Sequence, residues 1–117
     1  MEKNFHLDLT KYLKQFSHKV YDATEHFPKS EIFGLTSQFR RAAISVALNY
    51  SEGYARQRKA VFKNFVETSY GSLKECQYLT EFCFERKYLN REEFTRLMKL
   101  LDSIGAMLWG ILRKLES

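Results

Sequence analysis

Four basic residues lie close together in the segment 56–63: Arg56, Arg58, Lys59 and Lys63. Guanidinium and ammonium groups at this density form charge-assisted hydrogen bonds to phosphate oxygens and displace counterions from nucleic acid. We therefore predict a candidate nucleic-acid-binding surface here, to which Arg40 contributes across a subunit boundary. The sequence leaves one alternative open, which is an ordinary solvated turn.

A second set of polar residues recurs at helical spacing, about 100° per residue, along one face of the segment 38–56. Apolar Ile44 and Leu48 border this stripe on its far side, which is unusual for a solvated face. We predict that another helix or another copy of the chain covers the stripe, and that Glu75 neutralises Arg41, because an unpaired buried charge is costly. The alternative is that the stripe binds and recognises a ligand. The predicted buried network or interface comprises Gln38, Arg41, Ser45, Asn49, Glu52, Ser72 and Glu75.

Groups that support catalysis or metal binding are not arranged for it in this sequence. The three histidines, His6, His18 and His26, lack cysteine or carboxylate companions at ligand spacing. Glu52 and Glu75 fall at different levels of antiparallel helices, so they form no acid–base pair. We therefore expect no enzymatic activity, no metal and no cofactor. Aromatic residues at helical spacing are more often core or interface than base-stacking platforms, and we interpret four of them in this way: Tyr50, Tyr54, Tyr70 and Trp109.

The composition, 44% hydrophobic and 28% charged, is typical of one globular domain, here residues 1–117. The net charge of +5 permits RNA or DNA as a partner but is common in other proteins. Cys76 and Cys83 fall about 10 Å apart along one helix, too far for a disulfide, and indicate a reducing compartment. The first residues are charged and no run of about 18 apolar residues exists. We predict a cytoplasmic protein with no membrane partner.

Apolar residues that alternate steps of three and four predict the helices that position these side chains. The predicted helices are Leu9–His26, Leu35–Tyr54, Lys59–Arg86 and a fourth that ends at Leu115. Asp8 is the expected N-cap of the first, and Asn90 with Glu93 forms an analogue of a capping box before the fourth. Short connections then predict an all-α, antiparallel up-down-up-down four-helix bundle. Helices 2 and 4 have more apolar surface than one seam buries, which favours a homo-oligomer.

Two motifs resemble those of a known family. The first is Leu35-Thr36-x-Gln38-x-Arg40-Arg41-Ala42-Ala43-x-Ser45 followed by Asn49-x-x-Glu52-Gly53-x-x-Arg56, and the second is Gly71-Ser72-Leu73-x-Glu75. In these motifs the chain is similar to the four-helix-bundle proteins encoded in intervening sequences of bacterial 23S rRNA genes. Leu89 and the acidic start of helix 4 fit a third motif. Ala47 departs from the pattern, since many members have a proline there, so helix 2 should be unkinked.

The resemblance covers residues from about 9 to 115 and implies a ring-like homo-oligomer, a pentamer. It also implies a relation to the accessory protein of diversity-generating retroelements, a similar bundle that binds nucleic acid and a reverse transcriptase. A nucleic-acid-processing protein is therefore an expected partner. We predict a non-enzymatic, homo-oligomeric protein that binds or scaffolds nucleic acid, in particular structured RNA. The alternative is a protein-interaction scaffold with no nucleic-acid role.

Overall fold

Four long helices make up the chain in a computed structural model that describes residues 1–116. The helices are α1 (Lys3–Thr24), α2 (Leu35–Ala55), α3 (Lys59–Glu85) and α4 (Arg91–Glu116), with a short 3₁₀ turn at Lys29–Glu31. Each helix packs against two neighbours: α2 contacts α1 and α3, and α4 contacts α3 and α1. Because the connections are short and join adjacent helices, the chain runs alternately up and down. The predicted all-α four-helix bundle is confirmed.

The core lies along the seam that the apolar spacing predicts. The apolar residues that alternate steps of four and three from Leu9 to Phe27, in α1 and just after it, are all buried. The seams of α2, α3 and α4 meet it, with Leu73, Leu101 and Ile104 fully buried. Ala47 lies within α2, which runs without interruption from Leu35 to Ala55.

The first helix begins earlier than the sequence pattern predicted. It starts at Lys3 and not after Asp8, and the N-cap position belongs to Glu2. Phe5, one turn before Leu9, extends the apolar seam and packs against the core. The helix ends at Thr24, whose hydroxyl donates to the carbonyl of Val20 at 2.8 Å.

The remaining helix limits lie close to those predicted. α2 and α3 differ from prediction by one residue at one end each, and α4 begins after Asn90 as expected. The capping box is confirmed: Glu93 N–H donates to Asn90 Oδ1 at 2.7 Å and Asn90 N–H donates to Glu93 Oε1 at 2.9 Å.

Close contact between α2 and α3 fixes the turn that joins them. Gly53 is buried at this contact, and a Cβ added there would lie 2.6 Å from Cβ of Phe65. Further along, Ser69 Oγ donates to the carbonyl of Val46 at 2.6 Å. Only small side chains permit this approach of two helices. The turn at residues 56–58 is therefore held between two closely packed helices.

Candidate nucleic-acid interface

The turn between α2 and α3 consists of three residues, Arg56, Gln57 and Arg58. Both arginines have extended backbone, with ψ of 142° and 127°. The amide of Arg56 donates to the carbonyl of Gly53 at 3.0 Å, which closes α2. So short a turn keeps Arg56, Arg58 and Lys59 together at one end of the bundle, and we call these three residues the basic turn.

The side chains of the basic turn are exposed, and Lys63, one turn further along α3, is half-buried. Arg56 pairs with Glu52 at 3.6 Å and its guanidinium carbon lies 5.4 Å from the centre of the Phe65 ring. An exposed ion pair of this kind contributes little to stability. It does hold the guanidinium near the helix ends, where its remaining N–H groups can donate to phosphate oxygens.

The start of α3 adds a second source of positive potential. Arg58 occupies its N-cap position without a side-chain hydrogen bond, and its first turn has no acidic residue. The N-terminus of a helix has the positive end of the helix dipole and N–H groups without intrahelical partners. With basic side chains there, this turn is suited to contact an anion.

Arg40 lies far from the basic turn within one chain. It is 15 residues before Ala55, the last residue of α2, or about 22 Å along the axis. Its Nε donates to Thr24 Oγ1 at 2.7 Å, and its guanidinium carbon lies 4.5 Å from the centre of the Tyr21 ring. Within the monomer Arg40 therefore ties α2 to α1.

The polar stripe of α2 forms part of the predicted network. Ser45 and Ser72 hydroxyls share a hydrogen bond of 2.7 Å between α2 and α3. Asn49 Nδ2 donates to the carbonyl and the hydroxyl of Ser45 at 2.9 and 3.0 Å. The α2–α3 contact thus places Ser45 against Ser72. Ser45, Asn49 and Ser72 are half-buried.

The predicted pairing of Arg41 with Glu75 is wrong for the single chain. Both residues are exposed, and among residues 1–116 the ion pairs are Arg56–Glu52 and Arg96–Glu92. The physical reason is that small serines fill the covered positions between α2 and α3. The two long charged side chains stay hydrated outside the contact, where they avoid the cost of desolvation. Gln38 and Glu52, also predicted in the network, are exposed as well.

Two of the four aromatic residues reach the surface. Tyr50 is fully buried, its hydroxyl 2.8 Å from His6 Nδ1, and burial raises its pKa. Tyr54 stacks on His6, with ring centres 3.5 Å apart, and is partly exposed. Trp109 is 50% exposed and leans on Tyr70, with ring centres 5.8 Å apart.

Sequence reasoning missed a groove at the end where the basic turn lies. Its walls come from the start of α1, the basic turn and the last turns of α4, and it encloses about 520 Å³. The groove was missed because Phe5 was placed outside α1. Its position four residues before Leu9 was the available signal.

The two cysteines lie in the core, and the side chains that could bind a metal are dispersed over residues 1–116. Cys76 and Cys83 are buried and unpaired, and burial raises the pKa of both thiols, that of Cys83 to about 12. No group of three metal-ligating side chains occurs among residues 1–116. Within the same range, none of the helices is both long and apolar enough to cross a bilayer.

Comparison with known proteins connects this bundle to a family. The family model described as 23S rRNA-intervening sequence protein matches residues 6–110. A comparison with curated proteins gave no match. Among solved structures, a protein of unknown function from the S23 ribosomal protein family of Bacteroides thetaiotaomicron VPI-5482 is similar, with a TM-score of 0.82 and 19% identity. The alignment covers 89% of this chain and 97% of that one. At this identity the likeness shows a shared fold.

Proposed function

The chain belongs to the family of 23S rRNA-intervening sequence proteins, and we propose that it is a non-enzymatic, homo-oligomeric protein that binds structured RNA. One observation carries the proposal: three exposed basic side chains, those of Arg56, Arg58 and Lys59, lie together at the short turn and the uncapped start of α3. The family name supports rRNA-related RNA as the nucleic acid. A cytoplasmic location is part of the proposal, because Cys76 and Cys83 are buried as free thiols.

Charge at this end of the bundle supports an anionic partner. Residues 1–4, 52–63 and 110–116 include seven Lys and Arg residues against three Glu, a formal balance of +4. In a ring of identical subunits each basic turn is repeated, so the potential of one chain is multiplied at one rim. Such a rim would attract the phosphate backbone without reading sequence.

The test measures affinity for a structured RNA hairpin and a DNA duplex at several salt concentrations. We expect affinity to fall steeply with salt, with a slope of about 0.7 to 0.9 for each phosphate contact. Reversal of the basic turn, R56E/R58E/K59E, should remove binding and leave the oligomer intact. Reversal of three exposed basic residues at the opposite end, R86E/K87E/R91E, changes the net charge equally and should retain most of the affinity.

Either of two results would contradict RNA binding. One is the absence of affinity even at low salt, which leaves the protein-interaction scaffold as the function. The other is an equal loss of affinity in the two triple variants, which would show attraction to overall charge and no role for the basic turn.

The outer face of α2 supports the homo-oligomeric part of the proposal. A shallow groove of about 610 Å³ runs beside the polar stripe, and Ile44 and Leu48 line it together with Arg41 and Ser45. Leu48 is 62% exposed in the single chain. A second copy packed here would cover Leu48 and give Arg41 polar partners that residues 1–116 of its own chain do not provide. We propose that five copies close a ring through this face.

Native mass spectrometry and sedimentation test the ring. We expect five chain masses for the protein and one for L48K, because a charge in a closed apolar interface prevents association. Tyr78 on α3 is 64% exposed and offers a matched control, Y78K, which should remain a pentamer. A monomer at micromolar concentration, or an L48K variant that assembles normally, would contradict this interface.

A further inference from the structure

The groove beside the basic turn has an apolar floor. Phe5 of α1, Phe62 of α3 and Met107 of α4 are half-buried, line the groove and pack against the core. Gly110 also lines it, and a Cβ added there would meet no atom within 4 Å. The floor is therefore built from three helices, and the space above Gly110 is open.

The rim of the same groove is polar and mainly basic. Arg56, Arg58, Lys59 and Lys114 line it, against one acidic residue, Glu2. Gln57 at the centre of the turn adds an amide that both donates and accepts hydrogen bonds. The groove thus places cations and an amide directly beside an aromatic and aliphatic surface.

This combination matches the two parts of a nucleotide. Arginine and lysine side chains at the rim suit the phosphate, and the floor of Phe5, Phe62 and Met107 suits the face of a base. About 520 Å³ is within the range of sites that enclose one small organic group. A paired base stays stacked inside a duplex and would leave this floor empty, whereas an unpaired base can turn out and fill it.

We propose that the groove receives one unpaired nucleotide, so that the protein prefers RNA with a bulge or a single-stranded end over a fully paired duplex. This inference rests on the proposed RNA binding and specifies which RNA is bound. The base inserts between α1 and α4, and its phosphate lies on Arg56 and Arg58. Gln57 contacts the base edge.

The experiment compares an RNA duplex that has a single adenine bulge with the same duplex fully paired, under identical salt. We expect about tenfold tighter binding of the bulged RNA, a typical effect of one stacked base. In G110L a larger side chain occupies the groove, so the preference should disappear while affinity for the paired duplex is retained. The control is G71L on α3, since Gly71 lies outside this groove and also faces open space. That variant should keep the preference.

A direct signal comes from 2-aminopurine placed at the bulge, whose fluorescence should fall when the base stacks in the groove of the wild-type protein and not in G110L. Equal affinity of the wild-type protein for bulged and paired RNA would overturn the inference and leave the proposed function intact. Loss of the preference in G71L as well as G110L would also overturn it. If neither RNA binds at low salt, the proposed function fails first and the inference fails with it.

Discussion

The starts of α3 and α4 lie at opposite ends of the bundle and are built in opposite ways. α4 begins with a complete capping box, and Glu92 and Glu93 occupy its first turn. α3 begins with Arg58 at the N-cap position, no side-chain cap and no acid in its first turn. Acids near a helix N-terminus stabilise it, and basic residues do the reverse.

The contrast extends to the whole of each end. At the far end, residues 24–34 and 85–93 include four Lys and Arg residues against five Glu, a formal balance of −1. At the end with the basic turn, residues 1–4, 52–63 and 110–116 have a formal charge balance of +4. The residues at the start of α4 thus stabilise that helix, whereas the charges at the start of α3 destabilise it. The proposed binding of RNA at this end would account for charges of this kind.

The largest expected effect comes from the glycine that holds the basic turn in place. G53A would place its Cβ 2.6 Å from Cβ of Phe65, and because both atoms are attached to backbone, α2 and α3 must separate. We expect a loss of about 2 kcal/mol in the free energy of unfolding, typical of overpacking. Urea denaturation measures it. G71A, whose Cβ meets open space, should be neutral or stabilising by up to about 1 kcal/mol. Equal stabilities of the two variants would show that the close contact does not exist.

The next effect concerns the capped end. N90A removes the acceptor for the Glu93 amide, so we expect the free energy of unfolding to fall by about 1 kcal/mol. RNA affinity should be unchanged, since Asn90 lies at the end opposite the basic turn. Thermal unfolding and the binding assay together check this. An N90A variant that unfolds like the wild-type protein would show that the capping box contributes nothing to stability.

A smaller effect of opposite sign is expected at the uncapped end. R58D supplies the missing cap and an acid near the helix dipole, so the free energy of unfolding should rise by about 0.5 to 1 kcal/mol. The same change should weaken RNA binding, because one phosphate contact is replaced by repulsion. Higher stability combined with unchanged affinity would show that Arg58 has no binding role and that the contrast between the two ends is accidental.

Features that depend on neighbouring residues were predicted well from the sequence. Contacts between residues far apart in sequence were not. The seams from Leu9 to Phe27 and the Asn90–Glu93 box follow from residues a few positions apart, and both are confirmed. The start of α1 was missed, since Asp8 satisfies the N-cap preference, whereas Glu2 occupies the N-cap position without a side-chain hydrogen bond. The groove was missed with it, because Phe5 was placed outside α1 and the other walls come from distant parts of the sequence. Spacing places Arg41 near Glu75 but does not fix where two long side chains point.

The smallest effect concerns pH and the first turn of α1, which closes the end with the basic turn. His6 contacts the buried Tyr50 hydroxyl and stacks on Tyr54, and burial lowers its pKa below the usual 6.5. The folded chain therefore binds a proton less readily than the unfolded chain. The contribution of His6 to stability is fully present above about pH 6.5 and is lost as the pH falls through its lower folded-state pKa.

Amide hydrogen exchange at about pH 7.5 and about pH 5, corrected for the intrinsic effect of pH, measures this at both ends of the bundle. We expect protection in the first turn of α1 to fall at the lower pH, while the first turn of α4 changes less because its capping box contains no histidine. H6Q keeps a hydrogen-bonding group beside Tyr50 and does not titrate, so its α1 should exchange equally at the two pH values. A pH response that persists in H6Q would assign it to another group. A response of the same size in the first turn of α4 would show that the loss of protection is not specific to the end that contains His6.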